Sequence, residues 1–135
     1  NTQRQIYVTA YDLQRLNDRL AELDTRQQKA FAGLIRELDR AKVVAPAQVP
    51  ADVVTMNSRL RYRDLEDDSV AEVTLVFPEQ ADVDAGRMSV FSPMGTALLG
   101  YAAGDEIAWE VPAGVRRIRI ESLEYQPEAA GDTHL

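Results

Sequence analysis

"VVAPAQVPADVV", residues 43–54, separates two parts of the chain that follow different periods. Pro46 and Pro50 stand four residues apart, and neither can continue a helix, because proline lacks the amide proton and its ring collides with the carbonyl one turn back. The stretch reads as a linker. Before it the apolar residues recur at helical spacing; after it they alternate. The expected fold class is α+β, with a helical hairpin over 1–45, a linker over 46–52 and a sheet domain over 53–135.

In the first part, Leu13, Leu16, Leu20 and Leu23 recur at three and four residues, the spacing of one helix face. Thr9, with Asp12 three positions on, is a capping-box pattern at the start. Phe31, Leu34, Ile35 and Leu38 repeat the stripe, and Thr25 with Gln28 can cap it. Only the polar "ELDTRQ", residues 22–27, lies between. Amphipathic helices joined by so short a turn pack antiparallel, giving a short coiled coil with arms of about 22 Å.

After the linker, "VVTMNSRLRYRDL" sets Val54, Met56, Ser58, Leu60 and Tyr62 against Thr55, Asn57, Arg59, Arg61 and Arg63, as in a strand with one wet face. "VAEVTLVF", residues 105–111 and "GVRRIRIESLEY" are further strands, with "RMSVF" a short one. In the third of these Val115, Ile118, Ile120 and Leu123 face inward, and Trp109 is expected in the sheet core. Turns fall at "EDDS", "DVDAG" and "PAG". With one short helix and no βαβ alternation, the sheet is expected to be antiparallel with that helix on one face.

The composition removes several functions. A chain of 135 residues without cysteine holds neither a disulfide framework nor a thiolate zinc site. Its apolar runs fall far short of the roughly 20 residues needed to span a bilayer, so a cytoplasmic protein without membrane contact is expected. "EDDS" and "DVDAG" lack calcium-loop spacing, and His134, one residue from the C-terminus, anchors no catalytic triad. The net charge of −7 is uneven: residues 1–45 carry eight Lys/Arg against six Asp/Glu, and the remainder seven against sixteen. The two parts face different fields or partners, or a solvated helix simply carries more arginine.

"SPMGTALLG", residues 92–100, places a Ser-Pro ahead of a short apolar helix that offers no chemistry by itself. Taken with "DVVTMNSRLRYRDL", "VPAG" and "LEYQPEAAGD", it resembles the Gre family of bacterial transcription factors, and within it the nucleoside diphosphate kinase regulators. The resemblance implies an FKBP-like C-terminal domain and RNA polymerase as partner, with at most a weak contact to nucleic acid through the polymerase. It assigns Phe91, Ser92, Pro93, Met94 and Gly95 to docking on the rim of the polymerase secondary channel. Phe91 departs from the polar residue expected there, and reads either as an apolar anchor or as a core residue ending a strand.

The hairpin tip distinguishes the functions the resemblance allows. Family members that stimulate RNA cleavage carry acidic tips that help hold a catalytic Mg²⁺, which takes hard oxygen ligands. Glu22 and Asp24 occupy that place here; the alternative reading makes them solvated turn residues, with Asp24 a helix cap. Arg15, Arg19, Arg26, Lys29, Arg36 and Arg40 form the basic side of the hairpin. The arms are short, and the expectation is a monomeric, non-enzymatic regulator without cofactor that competes with cleavage factors. An active cleavage factor and an FKBP-like prolyl isomerase are the alternatives.

Overall fold

Thr9 opens the first helix. In the computed structural model, which describes residues 6–111 and 114–132, its backbone is extended and its hydroxyl accepts from the Asp12 amide at 3.2 Å. Helix α1, Ala10–Ala21, follows and buries Leu16 and Leu20. The second helical stripe is split into α2, Thr25–Ala30, and α3, Ala32–Asp39, by Phe31, whose φ of −107° and ψ of 19° leave the helical region. Its cap also differs from the expected Thr25. Asp24 Oδ1 accepts from the Gln27 amide at 2.8 Å and Gln27 Oε1 accepts from the Asp24 amide at 3.1 Å, a reciprocal capping box that leaves Thr25 inside the first turn. Gln28 does not cap α2; its Nε2 donates instead to the carbonyls of Leu20 and Leu23, both at 3.1 Å, where the end of α1 leaves carbonyls in need of donors.

Two short strands bracket these helices. β1, Tyr7–Val8, and β2, Lys42–Val43, pair in parallel, an element too short to register as a period in the sequence. Beyond the prolines the expected strand does not begin at Val54. Residues 53–56 and Ser58 are all buried, Asn57 adopts a left-handed φ of 66°, and the chain turns before β3, Arg59–Asp64. The Ser58 hydroxyl accepts from the Thr55 amide inside that turn. Alternation of residue type over 54–58 reflects a turn enclosed at every residue but Asn57.

Strands β4, Val70–Val76, β5, Arg87–Ser89, β6, Glu106–Val111, and β7, Gly114–Tyr125, complete a sheet of order β5-β4-β3-β7-β6. The sheet is mixed, which corrects the antiparallel expectation. β5 returns to β4 in parallel after two short 3-10 turns at Pro78–Gln80 and Val83–Ala85, so the link between them is a crossover and not a hairpin. Helix α4, Pro93–Leu98, contributes buried Leu98 to the core. A second short helix, α5, Pro127–Ala130, adds to the single one expected in this part of the chain. Gln126 Nε2 just before it donates to the carbonyls of Pro50 and Val53, tying the linker to the segment that follows the sheet.

Ile118 and Ile120 are buried as expected, but Val115 is 49% exposed, since it lies in the β6–β7 ribbon beyond the reach of β3. The Trp109 side chain, the Pro-Ala of the "PAG" turn and His134 lie outside the described residues. Leu16, Leu20, Leu34 and Leu38 of the helices join Val54, Leu60, Leu75, Leu98, Ile118 and Ile120 in one buried cluster. No helix among the described residues is long and apolar enough to cross a membrane.

Candidate functional site

The segment 89–96 is a tightly capped turn. Ser92 is the N-cap of α4: its hydroxyl accepts from the Gly95 amide at 3.0 Å and donates to the Ser89 carbonyl at 2.7 Å. Thr96 Oγ1 donates to the Val90 carbonyl at 2.7 Å, and the Phe91 amide donates to Ser89 Oγ at 3.0 Å. Proline suits the first helical position because no amide is needed there. Gly95 is required by space: a Cβ on it would lie 2.0 Å from the Ser89 carbonyl oxygen. The Ser-Pro-x-Gly spacing thus encodes a rigid corner, and each of its groups is spent on backbone geometry.

That corner presents its apolar side chains half-buried. Phe91 does not project into solvent; its ring lies 4.9 Å from that of Phe31 at the break between α2 and α3. Met94 packs on the edge of the core and, with Ser92, Met88, Tyr62 and Val83, lines an open cleft of about 570 Å³. Val83, 92% exposed, stands at its rim.

The acidic tip and the basic side are placed differently from one another. Glu22 ends α1 and Asp24 caps α2, both exposed, in a three-residue turn. Arg15 and Arg19 turn toward the sheet domain. Their guanidinium groups lie 4.5 and 4.2 Å from the Phe77 ring centroid. Arg15 pairs with Asp12, and Arg19 binds Glu79 just past β4 through Nε at 3.0 Å; that hydrogen bond holds the Glu79 carboxyl below its ordinary range. Arg26, Lys29 and Arg36 are exposed, and Arg40 pairs with Glu37 at 2.7 Å.

Sequence reasoning missed the seam between helices and sheet. Phe31 with Phe91, Arg19 with Glu79, and a cluster of Asp12, Arg15, Thr55 and Glu128 all join residues far apart in the chain. In the cluster Thr55 Oγ1 donates to Glu128 Oε1 at 2.7 Å, and the Asp12 and Glu128 carboxyls influence one another's titration. Burial raises both carboxyls above their ordinary values. A buried polar or charged position on an otherwise apolar helix stripe, as at Asp12, is the one local signal that could have pointed there.

A capped corner on a mixed sheet, with short helices ahead of it, is a fold this chain shares with a solved GreA/GreB factor. Residues 49–125 match the family described as "Transcription elongation factor, GreA/GreB, C-term", and residues 4–44 match "Rnk N-terminus". The chain belongs to the GreA/GreB family. It is 48% identical over 113 residues to a "Regulator of nucleoside diphosphate kinase" of Escherichia coli K12, covering 78% of this chain and 83% of the relative. It is 37% identical over 105 residues to "Transcription elongation factor GreA" of Prosthecochloris aestuarii, covering 76% of this chain and 64% of that protein. A solved GreA/GreB elongation factor from Nitrosomonas europaea superposes with a TM-score of 0.77 at 39% identity, over 91% of this chain and 100% of the other. These relatives lend the prolyl isomerase reading no support.

Proposed function

We propose that this chain is a non-enzymatic, cytoplasmic regulator that docks on RNA polymerase at its secondary channel and competes there with transcript-cleavage factors without stimulating cleavage. Membership of the GreA/GreB family supports the partner. The capped corner at residues 91–95, with half-exposed Phe91 and Met94 fixed by Ser92 and Gly95, is the docking element in this reading. Aromatic and methionine side chains on a rigid support are typical anchors of a protein interface. The description of the sheet domain as FKBP-like and of the helices as a hairpin with coiled-coil packing belongs to the same reading.

The observation that carries the non-cleaving part is the size of the tip. α1 has 12 residues, about 18 Å at 1.5 Å per residue. Asp24 already accepts a hydrogen bond from the Gln27 amide as the cap of α2. A Mg²⁺ ligand must come within about 2.1 Å of the ion, and a tip this close to its own domain leaves both carboxylates outside the polymerase active centre when the corner is seated on the rim. The exposed Arg26, Lys29 and Arg36 then act in electrostatic steering, so association slows as salt rises. Active transcript cleavage is the second reading, favoured by the two exposed carboxylates in one short turn.

Binding to core polymerase tests the docking element. The protein should displace a labelled GreA factor from the enzyme, and Met94→Asp should raise the competing concentration by about tenfold or more, the scale of an interface hot spot. Failure of the unmutated protein to displace the factor at any concentration contradicts the proposal.

A further inference from the structure

On the outer face of the sheet β3 carries arginines at alternate positions, Arg59, Arg61 and Arg63. Two of them are neutralised from both sides. Arg61 pairs with Glu72 of β4 at 2.9 Å and Glu124 of β7 at 3.4 Å, and Arg63 with Asp68 at 3.1 Å and Glu121 at 3.3 Å. The β7 carboxylates arrive there because the β3–β7 register shifts twice, skipping Glu121 and Glu124 and leaving them beside the arginines.

Arg59 has no such arrangement. Its ladder neighbours are Thr74 on β4 and Tyr125 on β7, and it enters no ion pair among the described residues. The row continues onto β5, where Arg87 is the register partner of Thr74. Arg87, Thr74, Arg59 and Tyr125 thus form one line across four strands and border an open cleft of about 470 Å³, with Asn57 and Gln80 at its rim. The Arg87 guanidinium is held at the edge, Nε donating to the Gln80 carbonyl at 3.1 Å and Nη2 lying 3.5 Å from Asp82. At the far side the Tyr125 hydroxyl donates to Asp132.

We infer that this cleft is an anion site that takes the phosphoryl group of a compact phosphorylated small molecule. A guanidinium presents a planar fork of donors that matches phosphate oxygens two at a time, and Arg59 offers that fork without a competing carboxylate among the described residues. Thr74 and the Asn57 and Gln80 amides add neutral donors around the same space. The cleft has the size of ordinary small-ligand sites, about 300–1,000 Å³. Glu72, Asp82, Glu124 and Asp132 surround it, and the whole chain carries −7. A polymer that extends further phosphates over those carboxylates meets repulsion, whereas a single compact phosphate can sit between Arg59 and the outward side of Arg87, whose pairing to Asp82 is a long 3.5 Å. None of residues 91–95 lines this cleft, although Arg87 also borders the cleft beside Ser92 and Met94; the inference does not depend on polymerase binding.

Titration of the isotopically labelled full chain with inorganic pyrophosphate at physiological salt, followed by amide chemical shifts, tests it. Saturable shifts should centre on residues 57, 74, 87 and 125. Arg59→Gln should weaken the pyrophosphate complex about tenfold, and Arg61→Gln, which removes a guanidinium already neutralised, should change it less than twofold. Both side chains lie on the outer face of the sheet, so both variants should melt with the unmutated protein. Absence of saturable shifts overturns the inference, as does an equal loss from the two substitutions, which would mean non-specific charge. A short single-stranded RNA bound at these residues more tightly than pyrophosphate would overturn the small-molecule assignment.

Discussion

The ring of Phe31 lies 4.9 Å from the ring of Phe91, inclined at 34°, and joins the break in the second helical segment to the first residue of the capped corner. Phe91 is therefore both a packing residue and a candidate contact residue. Tilted aromatic pairs contribute about 0.5–1.5 kcal/mol beyond their area. Urea unfolding of Phe31→Ala, Phe91→Ala and the double variant should give a coupling in that range, each single change costing about 1–3 kcal/mol. Additive losses would show that the rings do not support one another.

Gly95 and Gly33 give opposite expectations for one substitution. An alanine methyl at Gly95 meets the Ser89 carbonyl at 2.0 Å, while at Gly33, on α3, it meets nothing within 4 Å. Gly95→Ala should destabilise by about 2 kcal/mol or more, because backbone must shift and the Ser92 cap is disturbed. Gly33→Ala should stabilise by up to about 1 kcal/mol through helix propensity. Thermal melts of the two variants against the unmutated protein check both directions.

At the seam, burial raises the folded-state pKa of both Asp12 and Glu128, with Arg15 opposing the shift at Asp12 and the Thr55 hydroxyl opposing it at Glu128. A raised carboxyl contributes stability that is fully present below its unfolded value and is lost as pH rises through the folded value. The ionised pair is thus a cost near neutrality. Glu128→Gln keeps an acceptor for Thr55 and puts a neutral amide in place of the charge. It should raise the melting temperature at neutral pH and flatten its decline between the acidic carboxylate range and neutrality. An unchanged or lower neutral melting temperature with the same slope would place the charge cost elsewhere.

What the sequence made legible was local. The Thr9 cap, the leucine stripe of α1, the existence of β4 and most of β7, and the Ser92-Pro93 start of α4 are each set by neighbours within a turn or two, and each is found in the structure. The Asp24 cap was legible as an alternative and is the arrangement seen. The break at Phe31 was not, because an apolar residue at helical spacing looks the same whether its ring faces its own stripe or a partner far along the chain. The parallel placement of β5 depends on a crossover whose two 3-10 turns carry no period. The enclosed turn at 54–58 imitates a strand because polar Thr55 and Ser58 bond one another inside it. The place of Arg59 opposite Tyr125, with no ion pair among the described residues, follows from the register shifts in β7, and no spacing in β3 announces it.

The measurement that bears most directly on a competing, non-cleaving regulator is RNA length in a backtracked elongation complex. Added alone, the protein should produce no shortened 3′ RNA, and in excess it should suppress shortening by an authentic GreA factor. Glu22→Ala combined with Asp24→Ala should leave that suppression intact, since in this account it comes from occupancy of the channel rim. RNA shortened by the unmutated protein and left whole by the double variant would contradict the account and make this chain a cleavage factor.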